Sequence, residues 1–113
     1  DGGKTWSSPV PDKNLPGPTC QASLLRLSKS EVLFSNPAAS TRTNMTVRLS
    51  RNEGKSWPHA RTVNPGPSGY SALAALSDGT ILCLYECDIV ERIHDDRYLR
   101  LARFNLDWVM GGE

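Results

Sequence analysis

Four side chains in this sequence, Gln21, Arg42, Tyr70 and Glu86, are of types that could recognise and act on an anionic ligand. An arginine presents a fixed fork of N–H donors that meets both oxygens of a carboxylate, and it stays protonated at any working pH. A neutral phenol can approach such a ligand where a carboxylate would be repelled, and it becomes a nucleophile when a nearby carboxylate takes its proton. By type alone each residue also has a plainer role: a solvated arginine, a core aromatic, a capping glutamate or a surface glutamine. Position must select between these roles, so the elements that carry the residues decide the matter.

Bulk properties point to a local site. The chain has 113 residues, thirteen basic against twelve acidic and a formal net charge of +1, which gives no broad attraction for nucleic acid or an anionic membrane. At 38% hydrophobic content it has the apolar supply of one ordinary soluble domain. Its longest apolar stretches, such as Ile81 to Tyr85, are too short to span a bilayer, and no charged start followed by an apolar run marks a signal peptide. Cys20, Cys83 and Cys87 have neither zinc-ligand spacing nor an even count, so buried or incidental thiols are expected, with no metal site and no cofactor.

The chain repeats itself at a period in the range that signals propellers or solenoids. The stretch from Gln21 aligns without gaps to the stretch from Tyr70, 49 positions later, matching Leu24 with Leu73, Leu27 with Leu76, Ser28 with Ser77 and Leu33 with Leu82. Gly17-Pro18 and Gly66-Pro67 precede the two stretches, and a polar turn motif occurs at Asp1 to Trp6 and again at Asn52 to Trp57. Within a unit, short β-branched and apolar runs alternate with Gly, Pro, Asn, Asp and Ser. The complete unit reads as strand A near residues 22–27, B near 31–35, C near 45–50 and D near 56–63, a four-stranded antiparallel blade. Ser77-Asp78-Gly79 supplies a glycine suited to positive φ in the A–B hairpin. The predicted fold is all-β, a propeller segment divided into residues 1–16 (the end of one blade), 17–65 (a full blade) and 66–113 (most of the last). No segment of helical period competes.

This topology gathers the four side chains. In an antiparallel blade the start of A, the end of B, the start of C and the end of D lie at one face. Arg42 precedes strand C, Gln21 and Tyr70 stand at equivalent starts of strand A, and Glu86 ends a strand B. All four fall on one rim, and the polar turns fall on the other. Strand A lines the axis of a propeller, so Tyr70 can reach a ligand there.

The polar turns, with Ser50-Arg51 ahead of the second, resemble the Asp-box Ser-x-Asp-x-Gly-x-Thr-Trp of sialidase propellers, with Asn52 and Ser56 replacing Asp and Thr. Three further segments, Arg42 to Ser50, Gly69 to Leu73 and Asp78 to Glu86, are similar in order and spacing to the end of a bacterial-type sialidase catalytic domain. Ala102 to Trp108 resembles the last strand of such domains, whereas Asp88 to Arg97 is the least familiar part. The resemblance implies the C-terminal part of a six-bladed exo-sialidase propeller, a retaining glycoside hydrolase. It implies that Tyr70 is the nucleophile, that Arg42 is one of three arginines gripping the sialic acid carboxylate, and that Glu86 orients another arginine of the clamp. Gln21 could line the pocket, and Arg48, nearer the Asp-box end of strand C, reads as structural. The family's acid aspartate, activating glutamate and first two clamp arginines match nothing here, so the chain alone is expected to be inactive. The implied partners are sialic acid-containing glycoconjugates and either the rest of the propeller or further copies, in a secreted, periplasmic or cell-surface setting. A non-catalytic sialoglycan-binding propeller and a trans-sialidase are the alternatives.

Overall fold

A computed structural model describes residues 1–87 and 98–112. Six strands, β1 (Ser23–Arg26), β2 (Val32–Pro37), β3 (Thr43–Ser50), β4 (His59–Ala75), β5 (Ile81–Cys87) and β6 (Tyr98–Phe104), pair in sequence order, each antiparallel to the next, and a short helix α1 (Leu106–Val109) follows. The predicted strands A to C correspond to β1, β2 and β3. This is the order of two successive blades of an all-β propeller. The unfamiliar stretch Asp88 to Arg97 lies outside the described residues.

β4 departs from the expectation of two separate strands. Its first part pairs with β3, from Leu49↔His59 to Thr43↔Pro67, and its second part pairs with β5, from Ser68↔Cys87 to Ala75↔Ile81. The change of partner falls in Asn64-Pro65-Gly66-Pro67-Ser68, where two prolines lack the N–H that a ladder needs. Asn64 and Ser68 supply side-chain bonds instead: Asn64 Nδ2 donates to Pro67 O at 3.0 Å, and Ser68 Oγ accepts from Met45 N at 3.2 Å.

The two units pack face to face, and their seam is the core. Alternation along β3 and β5 sends Met45, Val47 and Leu49 from one side against Ile81, Cys83, Tyr85 and Cys87 from the other, joined by Leu33 and by Val109 of α1. Each apolar side chain buried there contributes roughly 1.5–3 kcal/mol relative to exposure. On the far face of the second unit the same alternation leaves Leu84, Leu99 and Leu101 exposed.

The turns form as their residues dictate. Gly79 has φ +87°, its N–H bonds Leu76 O at 3.1 Å, and Asp78 Oδ1 accepts from Thr80 N at 2.9 Å, so the expected positive-φ hairpin is present. In the β3–β4 turn Ser50 Oγ accepts from Gly54 N (2.8 Å), Asn52 Oδ1 accepts from Ser56 N (2.9 Å) and Asn52 Nδ2 donates to Ser56 Oγ (2.8 Å). Trp57 packs against Phe34 with ring centroids 5.9 Å apart and donates to Asp12 Oδ2. That bond and, more strongly, the N–H of Asn14 hold the Asp12 carboxyl below its ordinary value.

The predicted closing strand ends early. Phe104 completes β6, then Asn105 takes an extended φ of −122° and its Oδ1 accepts from Trp108 N at 2.9 Å, a helix N-cap that starts α1. Trp108 stacks at 5.1 Å on Phe104 and lies under the guanidinium of Arg61 at 5.0 Å, which holds the helical turn on the sheet.

Candidate functional site

Gln21, Arg42, Tyr70 and Glu86 meet along one rim, joined through a continuous set of contacts. Arg42 immediately precedes β3. Its carbonyl accepts from Ser68 N at 2.9 Å and its Nη2 donates to Thr19 O at 3.0 Å, so both ends of the residue are placed by main chain from other segments. Its Cζ then lies 5.6 Å from the centroid of the Tyr70 ring, within cation–π range. Nε and Nη1 have no protein partner among the described residues and remain able to donate to a ligand.

Tyr70 sits in the second part of β4 at the irregularity between Ser68 and Ser71. Its side chain is about half exposed, at 49%, whereas Ser68 and Ser71 on either side are buried. The main chain around it is held from both directions. Tyr70 N donates to Glu86 Oε2 at 3.0 Å, while Ser71 N donates to Gln21 Oε1 and Ser71 O accepts from Gln21 Nε2, each at 3.0 Å. A side chain at position 69 would collide with Glu86 Oε2, so the glycine before Tyr70 is what lets the carboxylate reach the Tyr70 amide. The result is a phenol on a fixed backbone, open to solvent on one side and faced by a guanidinium on the other.

Tyr85, across the ladder from Ser71, offers a contrast. Burial first, and the nearby Cys87 next, push its phenol above the ordinary value, so it stays a neutral core group facing the seam. Arg48, in mid-strand opposite Phe34, is partly buried with an Nε that has no hydrogen-bond partner among the described residues, and it does not join the rim cluster. Gln21 spends both amide atoms on Ser71, an engagement that residue type did not suggest. Thr19 was not singled out in the sequence either, since it acts through a carbonyl and any residue type could supply that. The alignment of Gln21 with Tyr70 was the available sign of contact between the units.

A cleft of about 550 Å³ lies elsewhere, lined by Val63, Thr80, Arg103, Phe104 and Trp108 among others, and shares no residue with the rim cluster. Among the described residues no group of three His, Cys, Asp or Glu side chains could hold a metal ion, and no helix is long and apolar enough to cross a membrane.

Residues 1–83 match the family described as BNR repeat-like domain, whose repeats are propeller elements. The chain is 37% identical over 121 aligned residues, 98% of its length, to a protein named sialidase from Micromonospora viridifaciens. It is 32% identical over 118 aligned residues, 91% of its length, to a protein named exo-alpha-sialidase from Aspergillus fumigatus. It spans only 18% of the first relative and 29% of the second. The chain therefore belongs to the BNR repeat-like domain family, as a propeller segment related over nearly its whole length to sialidases.

Proposed function

We propose that this chain contributes the nucleophile and one carboxylate-gripping arginine to a retaining exo-α-sialidase, which hydrolyses terminal α-linked sialic acids on glycoconjugates. The observation that carries the reading is the exposed Tyr70 phenol under the Arg42 guanidinium, on a backbone whose N–H is held by Glu86. In this reading Arg42 uses its remaining donors to bind the sialic acid carboxylate. Tyr70 Oη then attacks the anomeric carbon as the glycosidic C–O bond breaks, and a carboxylate from outside this chain takes the phenolic proton. Water hydrolyses the glycosyl-tyrosine and restores the original configuration; a tyrosine nucleophile is a known exception to the carboxylate pair of most glycosidases. Glu86 keeps the Tyr70 main chain in place and orients another arginine of the clamp. The general acid, the activating glutamate and two clamp arginines belong to other blades, so the 113 residues alone are inactive.

The test uses the full-length protein and a fluorinated sialic acid that slows breakdown of the covalent intermediate. Peptide mass spectrometry should locate the added mass within Gly69 to Leu73, with loss of the label in Tyr70→Phe. That variant keeps the ring and should lower kcat on the order of 10³-fold or more while leaving the fold intact. Label elsewhere, or a phenylalanine variant as fast as the parent, would remove Tyr70 from the mechanism. A well-folded protein that binds sialosides with neither label nor turnover would be a sialoglycan-binding propeller, and transfer of sialic acid to an added sugar in preference to water would make it a trans-sialidase.

A further inference from the structure

We infer that Gln21 is a positioning residue for Tyr70, acting from the neighbouring blade through the main chain of Ser71. The inference rests on the reading of Tyr70 as the nucleophile. It starts from the second part of β4, which pairs with β5 on one edge and, among the described residues, with no strand on the other. A primary amide can present one of its N–H donors beside its carbonyl oxygen, matching the N–H and C=O of one strand residue. Gln21 uses both, donating from Nε2 to Ser71 O and accepting from Ser71 N at Oε1, and so stands in for the missing strand at one residue. Two residues further along both segments, Ser23 Oγ accepts from Leu73 N at 3.0 Å. Side chains at alternate positions of the first unit thus close the open edge of the second.

The consequence for Tyr70 follows from its place between two anchors. The peptide unit before it is held by Glu86 and the one after it by Gln21. Ser71 is fixed a third time, because its buried hydroxyl meets Ser35 Oγ at 2.8 Å and bonds Ser35 O at 3.2 Å. The phenol is then free to turn only about its own side-chain bonds. A reacting atom misplaced by about 1 Å can cost on the order of 10²-fold in rate, so releasing one anchor should be felt in turnover. With these two bonds made the Gln21 amide is turned to Ser71, and one N–H and one lone pair are left for any other partner.

The experiment compares Gln21→Leu, which keeps the bulk and removes both bonds, with Ser23→Ala, which breaks the same edge two residues further from Tyr70. Both are made in the full-length protein and measured by steady-state kinetics and by amide hydrogen exchange. For Gln21→Leu we expect kcat to fall about tenfold, KM and the affinity of an unsaturated sialic acid inhibitor to stay within about twofold, and Ser71 N–H exchange to accelerate. Ser23→Ala should accelerate exchange at Leu73 while leaving kcat within about twofold. A raised KM with weaker inhibitor binding in Gln21→Leu would mean that Gln21 touches the ligand, and would overturn the inference. Unchanged kcat or unchanged exchange at Ser71 would overturn it as well. Should the parent protein itself show no turnover, the proposed sialidase reading fails, and exchange at Ser71 still decides whether Gln21 holds that backbone.

Discussion

Gln21 and Tyr70 occupy the same position in two copies of one repeat, yet one closes a seam and the other presents an exposed phenol. The amide of Gln21 bonds the main chain of the next unit through both its nitrogen and its oxygen, whereas Tyr70 has its main chain held and its side chain left open. The same divergence recurs away from the rim. Met45 and Leu99 are equivalent through their partners Pro37 and Glu86, 49 positions apart; Met45 is wholly buried in the seam and Leu99 is 68% exposed. Phe34 and Cys83 are equivalent too, but Phe34 lies on the outer face beside Trp57 and Cys83 lies in the core. A repeat hands each unit the same places, and what occupies the neighbouring face determines what each place is for.

The strongest way to break this comparison is at Met45 and Leu99. Within the 113-residue chain Met45→Ala should cost about 2–5 kcal/mol by chemical denaturation, from lost burial and the cavity left behind, against under ~1 kcal/mol for Leu99→Ala. Equal costs would show that the two faces are not different in the way the structure implies. In the full-length protein a further blade packed on that face would raise the second cost toward the first.

Cys83 sharpens the same point through pH. Burial pushes its thiol up to about 11 from the ordinary 9.0, only partly offset by a bond to Ser35. Between those values the unfolded thiol has lost its proton and the folded one has kept it, so stability is intact below pH 9 and falls as pH rises through 11. The loss should amount to about 2–3 kcal/mol, and it should be absent from the pH dependence of Cys83→Ala. Matching pH curves for the two proteins would place Cys83 in a wetter seam than the one described.

The smallest of these effects is expected at Arg42, which bears on the rim. Arg42→Lys in the full-length protein replaces a fork that can bond Thr19 O and a ligand together with a single point charge, and should lower kcat/KM by about 30-fold, or ~2 kcal/mol. Stability should hardly move. Unaltered kinetics would return Arg42 to the surface, and an equal defect from Arg48→Lys would show that the wrong arginine of the segment had been chosen.

Much of this was legible in order and spacing. The alternation in Met45 to Leu49 and Ile81 to Cys87, the glycine at 79 and the polar side chains of Asn52 to Trp57 each act over a few residues, so strands and turns could be read without knowing what they touch. The 49-residue period then implied that Gln21 and Tyr70 share a rim, because antiparallel strands return to the same face. Local chemistry was less decisive at Asn105, where a single N-cap turned the predicted end of a strand into a helical turn, and at Asn64 to Ser68, where side-chain bonds carried β4 past two prolines. Only the tertiary structure could assign the two amide atoms of Gln21 to Ser71, stack Arg42 over Tyr70 and separate an exposed Leu99 from a buried Met45. Those outcomes depend on which surfaces of distant segments come within bonding distance, and no run of neighbouring residues contains that information.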